Sequence, residues 1–122
     1  MLTAAFTILT FAVLMGSALA VLHMREGAVA PRWPLGALHG LIAIAGLASV
    51  LLALRGPPRG LDQGTGSFGT IAATLLTLAA LAGIGLVAAR LRRRPLPGIL
   101  IGVHATLAVS GFVILAAYMF AG

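Results

Sequence analysis

The chain has 122 residues, 61% hydrophobic and only 8% charged, with a mean hydropathy of +1.14; this excludes a water-soluble domain and makes a lipid bilayer the natural solvent. The formal charge of +6 comes from eight arginines set at segment ends or in connectors, against Glu26 and Asp62, which is the pattern of membrane topology and not of a nucleic-acid binder. Cysteine is absent, so disulfides, iron–sulfur clusters, thiolate metal sites and cysteine-based quinone chemistry are excluded.

In chain order, the first apolar run is Leu2 to Met24. It contains Ala18-Leu19-Ala20, the small-residue pattern of a signal-peptidase site, but no positive charge precedes it and the first is Arg25, so it is expected to stay as a helix. Leu35 to Leu54, Phe68 to Ala89 and Ile99 to Ala121 follow, each close to the roughly 20 residues that a ~30 Å hydrocarbon core demands. Short connectors leave room for one domain over 1–122: an all-α, integral membrane, up-and-down four-helix bundle. The first connector carries Arg25 and Arg32 and the third Arg90, Arg92, Arg93 and Arg94, while the second has Arg55 and Arg59 beside Asp62. Six arginines against two place the first and third connectors in the cytoplasm, and both termini with the Pro57–Gly69 loop on the other side, most naturally of a bacterial inner membrane.

No carboxylate lies inside a helix, which counts against proton-coupled carriers and carboxylate-pair hydrolases, and Ser49 and Ser110 have no acid near them for a triad. The histidines differ, since an ionisable side chain within a span is expensive and defaults to a functional reading. His39, Ala43 and Gly46 in the second segment match His104, Ala108 and Gly111 in the fourth at an offset of 65, as do Arg25 and Arg90, which suggests two duplicated helix hairpins related by rotation about the membrane normal. Spacings of four and seven put each His, Ala and Gly on one helix face, leaving a groove of small side chains beneath the ring. Counted from Pro34 and Pro97, the ~1.5 Å rise per residue puts His39 about 7 Å and His104 about 10 Å along helices that run the same way. Second and fourth helices of such a bundle face each other diagonally across the core. His39 and His104 are therefore expected to ligate metal, clamping the iron of one haem b; the alternative is that each only hydrogen-bonds across helices or to a backbone carbonyl.

This placement resembles the small membrane b-type cytochromes, including the cytochrome b561-like proteins, with four-helix cores and diagonal histidine pairs. The resemblance implies electron transfer, with Ala43, Gly46, Ala108 and Gly111 giving the porphyrin room and Arg32, Arg90 and Arg93 among the partners for its propionates. That family's pattern has four ligating histidines for two haems, whereas here the remaining one, His23, is near Arg25 at a helix end and reads as interfacial, so one haem is expected. Electrons would then pass through a quinone in the bilayer, a soluble donor, another membrane subunit or a homodimer partner. The alternative is an accessory subunit of a larger membrane complex without a redox centre, or one binding a pigment through a single His. Gly36-x-x-x-Gly40 and Gly98-x-x-x-Gly102 read as helix-packing motifs, and Trp33 and Tyr118 as interfacial anchors.

Overall fold

The computed structural model describes residues 1–26 and 33–121. It consists of α1 (Leu2–Glu26), α2 (Trp33–Ala53), α3 (Phe68–Leu91) and α4 (Gly98–Phe120), with a single 3-10 turn at Leu61–Gln63 between α2 and α3. All four helices are long and apolar enough to cross a membrane, so the chain is an integral membrane four-helix bundle. Helix ends differ from the apolar runs by one or two residues. α1 continues through Arg25 to Glu26 and α3 through Arg90 to Leu91, so these residues lie in final helical turns and not in connectors. The reason is that hydropathy marks the hydrocarbon edge, whereas the backbone hydrogen-bond ladder runs on into the headgroup layer. Similarly α2 spans 33–53 instead of 35–54, and α4 spans 98–120 instead of 99–121. The prolines sit where a missing N–H is harmless: Pro34 is the second residue of α2, and Pro97 caps α4 with φ −67.

α3 ends in a Schellman motif, with Arg94 N–H donating to Ala89 O at 3.0 Å and Arg93 N–H to Arg90 O at 2.9 Å. Its left-handed position is filled by Arg93, with φ 53. Glycine usually occupies that position, because a Cβ there costs about 1–2 kcal/mol.

Sequential neighbours pack tightly, α1 on α2 and α3 on α4; the two hairpins meet through α1 with α4 and α2 with α3. Among the described residues the diagonal pairs, α1 with α3 and α2 with α4, have no Cα atoms within 8 Å of each other. The core formed by Ala5, Leu9, Val50, Ala72, Ala73, Leu76, Leu115 and Tyr118 fills only the half of the bundle that carries the chain ends and the 54–67 loop. There Phe6 stacks on Phe112 at 5.0 Å between ring centres and meets Phe120 edge-on at 5.8 Å. No described residue in 13–26, 33–45 or 80–110 is fully buried, so among the described residues the arginine-bearing half adds nothing to this core.

The same end is tied to its loop. Arg59 N–H donates to the Tyr118 hydroxyl at 3.2 Å, and the Arg59 guanidinium reaches Met119 O at 3.4 Å. Tyr118 is 4% exposed and is therefore a buried clasp, not the interfacial anchor its position in the sequence suggests; Trp33, at 61%, keeps the anchor's exposure. Leu115 is fully buried within this half. Leu115→Ala is expected to lower stability by about 2 kcal/mol or more through the cavity it leaves, as measured by unfolding in mixed micelles. A loss below about 0.5 kcal/mol would show that this end is not close-packed.

Packing also fixes the internal repeat. A Cβ on Gly46 would lie 2.7 Å from Leu9 Cγ and Cδ2, and one on Gly111 would lie 2.9 Å from Leu76 Cγ, so each glycine admits the same leucine of its hairpin. Leu9 and Leu76 are 67 apart, as are Ala5 and Ala72, Ala12 and Ala79, Gly16 and Gly83, and the threonine sets 3, 7, 10 and 70, 74, 77. Thr7, Thr10, Thr74 and Thr77 each donate to the carbonyl four residues back. α2 and α4 keep the offset of 65, while α1 and α3 correspond at 67, which pairs Arg25 with Arg92 and not with Arg90.

Candidate functional site

His39 and His104 each stand six residues into their helices, about 9 Å from the arginine-bearing ends at ~1.5 Å per residue. They face one another across the bundle with ring centres 6.0 Å apart and planes at 84°. Each ring is fixed in the same way by the other helix of its own hairpin. His39 Nδ1 lies 2.9 Å from Ala12 O, and His104 Nδ1 lies 2.7 Å from Ala79 O. A carbonyl only accepts, so both Nδ1 atoms must carry the proton, and in the neutral rings both Nε2 atoms are left with bare lone pairs. Neither ring can then donate to the other. Two fixed acceptors at this separation are suited to share a Lewis acid, and a carbonyl behind Nδ1 is the usual arrangement behind a metal-binding imidazole.

Glycine makes the geometry possible. A Cβ on Gly16 would come 2.9 Å from His39 Cε1, and one on Gly83 would come 3.2 Å from His104 Cε1, so each ring lies against bare backbone one helical turn beyond the carbonyl it bonds. A centre-to-centre spacing of 6.0 Å would admit one metal between the rings if both Nε2 atoms were turned toward it. Two metal–nitrogen bonds of about 2.0–2.1 Å, with about 1.1 Å from each nitrogen to its ring centre, sum to roughly 6.3 Å. No group of three or more His, Cys, Asp or Glu gathers among the described residues, so a metal here needs its other ligands from a group it brings with it.

The other expected site residues divide. Ala43 and Ala108 are half-buried one turn deeper than their histidines. Gly46 and Gly111 are buried, but against Leu9 and Leu76, so they set the hairpin spacing and do not form an open groove beneath the rings. Gly36, Gly40, Gly98 and Gly102 have nothing within 4 Å of where a Cβ would stand; they are not the contacts that close this bundle. Arg90 is half-buried in the last turn of α3 and Arg93 is exposed just beyond it, while His23 is half-buried near the end of α1. Arg32 lies outside the described residues. Ser49 hydrogen-bonds Ala45 O at 2.8 Å, and Ser110 lines a shallow depression on α4 with Ala105, Thr106 and Val109. The residues missing from the sequence reading are Ala12, Ala79, Gly16 and Gly83, and the 67-residue correspondence of α1 with α3 is the signal that exposes them. No family model matches the chain, and neither a curated protein nor a solved structure shows significant similarity to it.

Proposed function

We propose that the chain is a membrane b-type cytochrome in which His39 and His104 hold one haem on its two axial sides. The observation that carries this reading is the pair of carbonyl-locked imidazoles at 6.0 Å, each left with its Nε2 lone pair, with no third His, Cys, Asp or Glu gathered beside them among the described residues. A porphyrin supplies four equatorial nitrogens of its own and needs only two from the protein; when bound, it supplies one-electron redox chemistry. With both axial positions filled, electron transfer is favoured over oxygen chemistry. A single haem is supported by the packing, because the opposite half is filled by Leu9, Val50, Leu76 and Leu115.

In this reading Ala12 and Ala79 carbonyls orient the ligands and raise their basicity, Gly16 and Gly83 give the rings room, and Arg90 and Arg93 are within the rim that would meet propionates. The arginine-bearing end faces the cytoplasm by the positive-inside rule, with both chain termini opposite. The electron is exchanged with a quinone or a redox protein. A second reading, an accessory subunit of a larger complex, is favoured by one observation: a Cβ on Gly36, Gly40, Gly98 or Gly102 would meet nothing within 4 Å, leaving small-residue positions of the kind that receive another membrane helix.

The test is spectroscopic. Protein purified after expression with ample haem should show the sharp reduced α-band of six-coordinate haem b. The 84° between ring planes further predicts the strongly anisotropic low-spin EPR signal, dominated by one large g value, of perpendicular axial imidazoles. A colourless protein, or a high-spin signal, would overturn the assignment.

A further inference from the structure

The two halves of the bundle differ in a way that assigns the site a direction of access. Towards the chain termini, the histidines are backed by Leu9, Val50, Leu76, Leu115 and the Phe6–Phe112 stack, and the end is closed by the Tyr118–Arg59 clasp. Towards the arginines, nothing described is fully buried. About 9 Å of helix separates each ring from the arginine-bearing end of its helix, against about 21 Å to the end of α2 and 24 Å to the end of α4 in the other direction. Electron transfer falls steeply with distance, so the short side dominates.

The arginine-bearing end carries Arg25, Arg90, Arg92, Arg93 and Arg94 against the single carboxylate Glu26. Arg25 and Arg92 occupy equivalent places, each nine residues beyond the glycine under its histidine, and both are exposed along with Arg93 and Arg94. Topology alone needs positive charge somewhere on this side. It does not need a guanidinium at φ 53, where glycine would complete the same helix end without strain. The Arg93 side chain is exposed at this rim.

Resting on the haem reading, we propose that the His39–His104 site exchanges its electron only through the arginine-bearing end, with a soluble carrier that docks an acidic face on Arg25, Arg92, Arg93 and Arg94. With haem held by His39 and His104, the exchange would move one electron between the bound group and the carrier, each changing by one equivalent, with no proton or bond change.

The test uses the full haem-loaded chain in nanodiscs, where both faces are open and insertion direction is irrelevant. The reduced protein is mixed in stopped flow with ferricyanide, an anionic oxidant, or with tris(phenanthroline)cobalt(III), a cationic one, over a range of salt. The rate with ferricyanide should fall about tenfold as salt rises while the cobalt rate climbs, and Arg92→Gln/Arg93→Gln/Arg94→Gln should flatten both dependences. A second readout needs no haem. Because the chain lacks cysteine, Ala20→Cys, one turn beyond Gly16, should react with a charged, membrane-impermeant thiol reagent at least tenfold faster than Ala5→Cys in the packed half. Six-coordinate haem with equal salt dependences for the two oxidants, or equal labelling of the two cysteines, would overturn this proposal and leave the haem assignment standing; a colourless protein would remove both.

Discussion

Changing either His39 or His104 to alanine is expected to lower the haem content of the purified protein at least tenfold, and to the same degree for both. Equivalence is the sharper part of this prediction. Each imidazole is held by one carbonyl of its own hairpin at nearly the same distance, so neither ligand is built to be the stronger. Removing one ring leaves the other with an unshared lone pair and the iron with an empty axial position. The fold itself should survive, because a polar contact between membrane helices is worth only about 0.6 kcal/mol on average and the packed core lies elsewhere. Haem content by pyridine extract, with circular dichroism as the folding control, measures both statements. Added imidazole should restore a six-coordinate spectrum to His39→Gly and His104→Gly. A variant that folds and keeps full haem with an unchanged spectrum would show that its histidine is not a ligand.

Gly16 is the position at which the smallest chemical change should have the largest consequence. Its Cβ would stand 2.9 Å from the His39 ring, well inside ordinary contact, and the ring cannot retreat without breaking its bond to Ala12 O or shifting its Nε2. Gly16→Ala is expected to weaken haem affinity about tenfold, about 1.4 kcal/mol; Gly16→Val, with two further carbons at the contact, should abolish binding. At Gly83 the corresponding distance is 3.2 Å, so Gly83→Ala should be milder than Gly16→Ala. Haem titration of the apoprotein ranks the three variants. Equal affinity for Gly16→Ala and wild type would mean that the ring does not lie against this backbone when the site is filled.

The spans were legible because a bilayer imposes length and apolarity on a sequence directly, and the histidine pair stood out because a polar ring in such a span is expensive. The supporting residues were not. Ala and Gly recur throughout this chain, so a single small residue says little until its register is known, and the match of Arg25 with Arg90 suggested a uniform offset that the packing of Leu9 and Leu76 corrects by two residues. Gly46 and Gly111 were found by their spacing but given the wrong neighbour, since periodicity identifies a helix face without saying which helix covers it. Tyr118 misled for a related reason: closeness to a helix end is the mark of an anchor, but here the loop folds back and uses its hydroxyl.

The two hairpins insert in the same orientation and contribute equal parts: one imidazole, one carbonyl, one glycine and one leucine each. A gene encoding a single hairpin would therefore already specify the whole chamber, assembled from two identical chains around an axis passing between the rings. What joining them in one polypeptide adds is licence to differ. The paired positions Val50 and Leu115 differ in size, and one rim ends in Arg25-Glu26 while the other runs Arg92-Arg93-Arg94, an imbalance that an assembly of two identical hairpins could not carry.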